Sequence, residues 1–292
     1  MKPPLFAYKA PKTLDQAIAA LAGDNDALVL AGGQSLLPAM NFRLAAPSLL
    51  IDIQHVEGLK GVSIEDGRIL VKAMTRHREL ELDERVRQAN PLIAEVMEHV
   101  AHVPIRNRGT VVGSLCHADA AAEMPMLLTL LGGSVIAQGS AGRREIAADD
   151  FFQSHLTTSR RREEIIVEAR FPVLAPDSGW AFDEVTRRQG DFAIVGVGAI
   201  VQLDAQGKAK EVRLAACGIA ASPVRLHEAE KLLVGTPLTD SDIGVAAAAA
   251  RGSVAAPDDI YASAAYRRRA VAALLRRMVP KATARARERV AR

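Results

Sequence analysis

Apolar positions along the first third of the chain alternate between two periods. Leu14, Ala17, Ile18 and Leu21 fall three and four apart, the spacing of one helix face, with Thr13 as N-cap and Gly23 as stop. Residues 27–30 then read as a short buried strand and residues 49–53 as a second. Residues 61–64 and 68–72 flank Glu65-Asp66-Gly67, which predicts a hairpin. Thr75 stands where it would cap a helix over 78–82, and 91–100 carries Leu92, Val96 and Val100 on one face. Pro125 opens a helix with Met126, Leu127, Leu130 and Leu131 that Gly132-Gly133 stops. Strands follow at 134–137 and 164–170.

A Pro-rich stretch at 172–178 reads as a linker, and beyond it the pattern changes. Residues 182–187, 194–203 and 210–217 are strand-like, with Gly207 in a turn at 204–208. Helices are predicted at 225–233, at 240–250 and at 262–278, where Tyr266, Ala270, Leu274 and Leu275 share a face. Strands followed by helices predict an α+β domain over 177–282 with a three-stranded antiparallel sheet. It follows a first domain over 1–176, and a basic tail covers 283–292.

Composition sharpens this picture. Aromatics make up only 4% of the 292 residues, so the core is built from Ala, Val, Leu and Ile. Residues 267–292 hold ten Arg or Lys and one Glu, a net +9, whereas the whole chain is +3 and residues 1–266 therefore carry −6. A basic tail on an acidic body argues against a nucleic-acid-binding domain. No apolar run is long enough to span a membrane and no secretory signal is evident at the N-terminus, so the expected location is cytoplasmic. The two cysteines, Cys116 and Cys217, lie a hundred residues apart without a CxxC, which excludes an iron–sulfur cluster or structural zinc at the usual spacings.

Two glycine loops carry the candidate chemistry. Ala31-Gly32-Gly33-Gln34-Ser35 follows a predicted strand, and adjacent glycines let backbone N–H groups approach an anion. It is neither GxGxxG nor a P-loop. Taken alone it reads as an ordinary strand-terminating turn. Gly109-Thr110-Val111-Val112-Gly113-Ser114 has the same character, with hydroxyls at Thr110 and Ser114 around Gly113. Two such loops in one domain bring a dinucleotide clamp level with the ordinary turn. His117, Asp119 and Glu123 follow closely but lack metal-site spacing. Glu123 reads equally as a cofactor-facing carboxylate and as a helix-start carboxylate.

The stretches AGGQSLLPAMNFRLAAPSLLIDI (31–53) and TVVGSLCHADAAAEMP (110–125) resemble the FAD-binding medium subunits of the carbon monoxide dehydrogenase and xanthine dehydrogenase group. EEIIVEARFP (163–172), VTRRQGDFAIVGVGAIV (185–201) and DDIYASAAYRRRAVAALLRRMV (258–279) continue the resemblance to about Val279. It implies a vanillyl-alcohol-oxidase-type domain of two α/β subdomains with FAD between them, then a smaller α+β domain. It also implies that Val29, Leu30, Ala31, Gly32, Gly33, Gln34, Ser35 and Leu36 line the FAD, with 32–35 at the pyrophosphate. Thr110, Gly113 and Ser114 would form the second phosphate loop beside Gly109. His117 and Glu123 would lie near the cofactor, Glu123 on a ribose or ribityl hydroxyl. Ile166 and Phe192 would pack at the flavin ring.

The function implied is that of an FAD-carrying electron-transfer subunit of a molybdenum hydroxylase. Its implied partners are a molybdopterin-binding large subunit and a [2Fe–2S] small subunit, in a dimer of heterotrimers. The missing cluster cysteines agree with such partners. Two departures from the pattern stand out: Val112 replaces a glycine, and Asp183 and Glu184 stand where relatives often carry a lysine near the flavin. Val112 keeps open an assembly subunit that has lost FAD. A self-contained flavin oxidoreductase is the other alternative.

Overall fold

The computed structural model describes residues 2–290. The first unit is a three-stranded parallel sheet of order β1-β3-β2, made of β1 (Ala7–Lys9), β2 (Leu28–Leu30) and β3 (Leu49–Asp52). Helix α1 (Leu14–Ala22) precedes β2 and starts where Thr13 accepts the Gln16 N–H; α2 (Leu36–Asn41) follows it. The apolar strand at 28–30 is only half-buried, not buried as its composition suggests. It lies at the sheet edge, so one flank stays uncovered.

The second unit is an antiparallel sheet of order β4-β5-β10-β6-β7. Its strands are β4 (Val62–Glu65), β5 (Arg68–Lys72), β6 (Ser134–Gly139), β7 (Gly142–Ala147) and β10 (Ile165–Pro172). Asp66 and Gly67 both have positive φ, as a tight two-residue hairpin turn requires. Strand β10 enters between β5 and β6, and its pairing with β5 joins segments nearly a hundred residues apart that no local pattern reveals.

Helices α3 (His77–Leu82), α4 (Glu84–Ala89), α5 (Pro91–Met97), α6 (Val103–Arg106), α7 (Val111–His117) and α8 (Glu123–Leu131) fill the span between β5 and β6. Short α9 (Ala148–Phe151), β8 (Phe152–Ser154) and β9 (Thr157–Thr158) precede β10. The expected Thr75 cap is not made. Thr75 donates to the Gly61 carbonyl at 2.8 Å, and Arg76 is the N-cap residue, its N–H bonded to Glu79 at 2.8 Å.

The third unit is an antiparallel sheet of four strands rather than three. They are β11 (Gly179–Val185), β12 (Val195–Leu203), β13 (Ala209–Cys217) and the two-residue β14 (Val224–Arg225). One face packs on α10 (His227–Leu233), α11 (Asp240–Ser253) and α12 (Ala264–Val290), through Ala181, Val195, Val197, Val201, Leu214 and Ala216. The other face joins the first core through Phe182, Ile200, Ala215 and Cys217. Glycine permits that approach: a Cβ on Gly198 would meet Leu130 and Met126 of α8. A sheet covered on both faces explains the near-continuous apolar run of β12.

Residues 283–290 of the expected basic tail are the end of α12; Ala291 and Arg292 lie outside the described residues. The segment is packed rather than free. Thr283 and Ala286 are buried, and the Arg285 and Arg289 guanidiniums lie 4.9 and 5.0 Å from the Trp180 ring centroid. Glu95 of α5 accepts from Lys281 at 2.8 Å, Arg285 at 2.6 Å and the Trp180 indole at 3.0 Å. The concentrated positive charge thus meets a carboxylate of the preceding unit.

Candidate functional site

Two of the sequence-predicted segments meet backbone to backbone. A Cβ on Gly32 would lie 2.6 Å from the Arg108 carbonyl oxygen, 2.7 Å from Gly109 Cα and 2.9 Å from the Thr110 nitrogen. Only glycine allows the loops to close to this distance. Gly33 has φ +72, so it too is held to glycine by its backbone. Residues 28–37 are all half-buried, which makes this stretch one continuous partly open wall.

Among the described residues no protein acceptor takes the N–H groups of Gly32, Gly33, Gln34 or Ser35. Ser35 is the N-cap residue of α2 but makes no side-chain cap bond, so its hydroxyl is also uncommitted. Four successive free N–H groups and a hydroxyl are a donor set for an anion.

The second segment is a helix start rather than the glycine turn expected. Thr110 is the N-cap residue of α7, and its hydroxyl oxygen accepts the Gly113 N–H at 3.1 Å. Its own O–H proton can still be donated. Val112 has ordinary helical angles and a buried side chain in the core, so replacing the glycine there introduces no backbone strain. Beneath Gly109 lies His77, buried, with Nδ1 unpartnered and its pKa lowered to about 4 by burial. It is neutral at neutral pH. Arg76 bonds the Arg108 carbonyl with its guanidinium and so ties α3 to this segment. Sequence reasoning passed over both residues, whose role rests on contacts about 32 residues away.

Other expected residues are distributed around this pair. Val29 and Leu30 belong to β2, and Leu36 opens α2. His117 ends α7, with burial lowering its pKa. Ile166 is fully packed in β10, and Phe192 lies on the loop before β12 with 55% of its surface exposed. Cys116 and Cys217 are unpaired thiols. Among the described residues no cluster of His, Cys, Asp and Glu is placed to hold a metal, and no helix is long and apolar enough to cross a membrane.

Glu123 is the first residue of α8, not a residue ahead of it, and is 4% exposed. Burial first, then the charges of Glu184 and Asp119, push its carboxyl up to about 8. A solvated helix-start carboxylate would be shifted the other way. Asp183 and Glu184, neighbours in sequence, face opposite sides of β11. Asp183 pairs with Arg277 of α12 at 2.7 Å, whereas Glu184 meets His99 at 3.2 Å on the side of the first core.

Comparison with known proteins places the chain in a family. Residues 4–174 match the family described as FAD binding domain in molybdopterin dehydrogenase, and residues 180–282 match CO dehydrogenase flavoprotein C-terminal domain. The chain is 42% identical to the 6-hydroxypseudooxynicotine dehydrogenase complex subunit alpha of Paenarthrobacter nicotinovorans, over 98% of this chain and 97% of that one. It is 33% identical to the carbon monoxide dehydrogenase medium chain of Hydrogenophaga pseudoflava, over 98% and 99%. A chain of quinoline 2-oxidoreductase from Pseudomonas putida 86 superposes with a TM-score of 0.94 at 38% identity, covering 98% of this chain and 99% of that one.

Proposed function

The chain belongs to the family of FAD-binding medium subunits of molybdenum hydroxylases, and from that premise we propose that it carries electrons between a partner subunit and an external acceptor. In this reading they arrive from [2Fe–2S] clusters on a small subunit. A large subunit bearing molybdopterin performs the hydroxylation. Three such chains form a heterotrimer, paired into a dimer of heterotrimers in the cytoplasm. Bound FAD supplies the redox chemistry; the chain binds it, orients it and sets the polarity around it.

The free N–H groups of Gly32–Ser35 carry this reading, because a buried pyrophosphate requires several such donors. The Thr110 hydroxyl and the start of α7 complete the phosphate cradle from the neighbouring unit. The two loops would hold FAD between the parallel and antiparallel sheets, in the manner of the vanillyl-alcohol-oxidase type. Phe192, exposed on the loop before β12, would cover the isoalloxazine, with the buried Ile166 in the apolar layer behind it. Glu123 would accept from or donate to a ribose or ribityl hydroxyl, and Val29 to Leu36 would form the wall along the cofactor. The relaxed backbone at Val112 disfavours a subunit that has lost FAD. The organic substrate is read on another chain. In support, the full-length relatives above are named for substrates as unlike as carbon monoxide, quinoline and 6-hydroxypseudooxynicotine.

Purification tests this directly. The chain should carry a flavin spectrum and copurify with the other two subunits when the three are expressed together. A colourless preparation that added FAD does not restore would sink the reading. So would turnover of an organic substrate by the isolated chain.

A further inference from the structure

His77, the first residue of α3, is 5% exposed, and no protein group among the described residues bonds either of its ring nitrogens. Its backbone is fixed to the second cradle loop. The His77 N–H donates to the Gly109 carbonyl at 3.0 Å, and Arg76 pairs with Thr110 as an antiparallel bridge. The ring then lies against Gly109. Its Cδ2 is 3.1 Å from the point where a Cβ on Gly109 would stand, and Gln34 Cγ is 3.6 Å from the same point. The missing side chain of Gly109 thus leaves the Cδ2–Nε2 edge of His77 and the Gln34 side chain facing one another. Gln34 carries one of the four free N–H groups of the first loop. Gly109 Cα, in turn, is 2.7 Å from where a Cβ on Gly32 would stand, so His77, Gln34 and Gly32 converge on one glycine.

The two ring nitrogens are not equivalent. Nδ1 is sealed from solvent, whereas Nε2 keeps some exposure. Burial, and after it the Arg106 guanidinium, holds the ring neutral against the smaller pull of Glu81. A neutral imidazole carries one proton. On Nδ1 that proton would be a buried N–H without an acceptor. On Nε2 it can be bonded by water or by a ligand in the cradle. The ring therefore offers a donor at Nε2 and keeps only a bare lone pair inside. The neighbouring polar groups do not supply its partner: the Arg76 guanidinium is held on the Arg108 carbonyl, and Glu79 accepts the Arg76 N–H.

We propose that His77 donates its Nε2 proton to the pyrophosphate of the bound dinucleotide, as a side-chain donor beside the backbone donors of Gly32–Ser35. This rests on the FAD reading above. A buried imidazole with neither nitrogen bonded is a net cost to the fold, and a phosphate oxygen in the cradle removes it. The acceptor is charged, so the bond is of the stronger kind.

FAD titrated into the full-length apoprotein, followed by flavin fluorescence, tests this with His77→Leu, His77→Gln and His77→Asn. The glutamine amide nitrogen reaches about as far as the imidazole Nε2; the asparagine amide stops near Nδ1. Leucine and asparagine should each weaken FAD binding roughly 10- to 150-fold, the loss of one hydrogen bond to a charged acceptor. Glutamine should restore most of it. Equal weakening by glutamine and leucine would reduce His77 to packing and overturn the donor role, as would wild-type affinity in His77→Leu. Nitrogen-15 spectra of wild type with labelled histidine give a check that needs no buried substitution to fold. At neutral pH the His77 ring should carry its proton on Nε2, and that resonance should shift when FAD is added. A proton on Nδ1, or an Nε2 signal that bound FAD leaves in place, would overturn the proposal and leave FAD binding standing. A wild-type apoprotein that takes up no FAD would instead refute the parent reading.

Discussion

Gly32→Ala is the sharpest perturbation of the cradle. The added methyl meets backbone from Arg108, Gly109 and Thr110, the nearest atom at 2.6 Å, and no flexible side chain is there to give way. Carbon contacts relax near 3.4 Å, so the two loops must part by about 0.8 Å. Overpacking of this kind costs ~1–3 kcal/mol, which for a chain of this size lowers Tm by roughly 2–6 °C. The effect on FAD should be larger in proportion. A phosphate hydrogen bond near ~2.9 Å, stretched by that amount, passes the geometric limit and is lost. Each such charge-assisted bond is worth ~1.5–3 kcal/mol, so losing one weakens FAD binding roughly 10- to 150-fold.

Flavin fluorescence titration of the apoprotein measures the affinity, and thermal unfolding of the same sample measures the stability. Gly58→Ala is the control: φ is +76 and nothing lies within 4 Å, so it carries backbone strain of ~1–2 kcal/mol without touching the loops. It should lower Tm comparably and leave FAD affinity unchanged. Wild-type affinity in Gly32→Ala would refute the cradle.

His77 is held neutral by burial, with its pKa lowered from 6.5 to about 4, so the unfolded chain gains a proton there first as pH falls. Stability should drop by ~3 kcal/mol between about pH 6.5 and 4 from this residue, and denaturant titration of His77→Leu should show that portion of the slope removed. Glu123 runs the opposite way. Its raised folded pKa means stability present below about pH 4.5 is lost as pH climbs through about 8, so Glu123→Gln apoprotein should melt higher than wild type at pH 8.5. An equal or lower melting point would contradict its burial as an acid. Glu95→Ala removes the acceptor shared by Lys281, Arg285 and Trp180. It should cost ~1–3 kcal/mol and speed amide exchange over 281–290; unchanged exchange there would mean the end of α12 is held by other contacts.

Local chemistry was legible where it acts locally. Thr13 and Gly23 bound α1 because the cap bonds span only three or four residues, and Asp66-Gly67 specify their hairpin because few residues accept two positive φ angles. The glycine pair at 32–33 was legible only as a tight turn, and resemblance supplied both the site and the cofactor. Strand β7, with its GRREIA sequence and mostly exposed side chains, left no periodic trace, and β1 is likewise an exposed three-residue edge. Both exist because a neighbouring strand offers them hydrogen bonds. Helix α12 runs on through a stretch expected to be a basic tail because Trp180 and Glu95, more than a hundred residues away, receive its arginines.

The sequence by itself determined most of the segments that turn and alternate, and it left Glu123 open between a cofactor-facing and a helix-start carboxylate. Only the tertiary structure decided that carboxylate's charge. Its proton affinity depends on burial between two units and on Glu184, sixty-one residues along the chain, together with the histidine that Glu184 meets across the seam. Electrostatic energy depends on distance and on exclusion of water, and neither is a property of sequence separation.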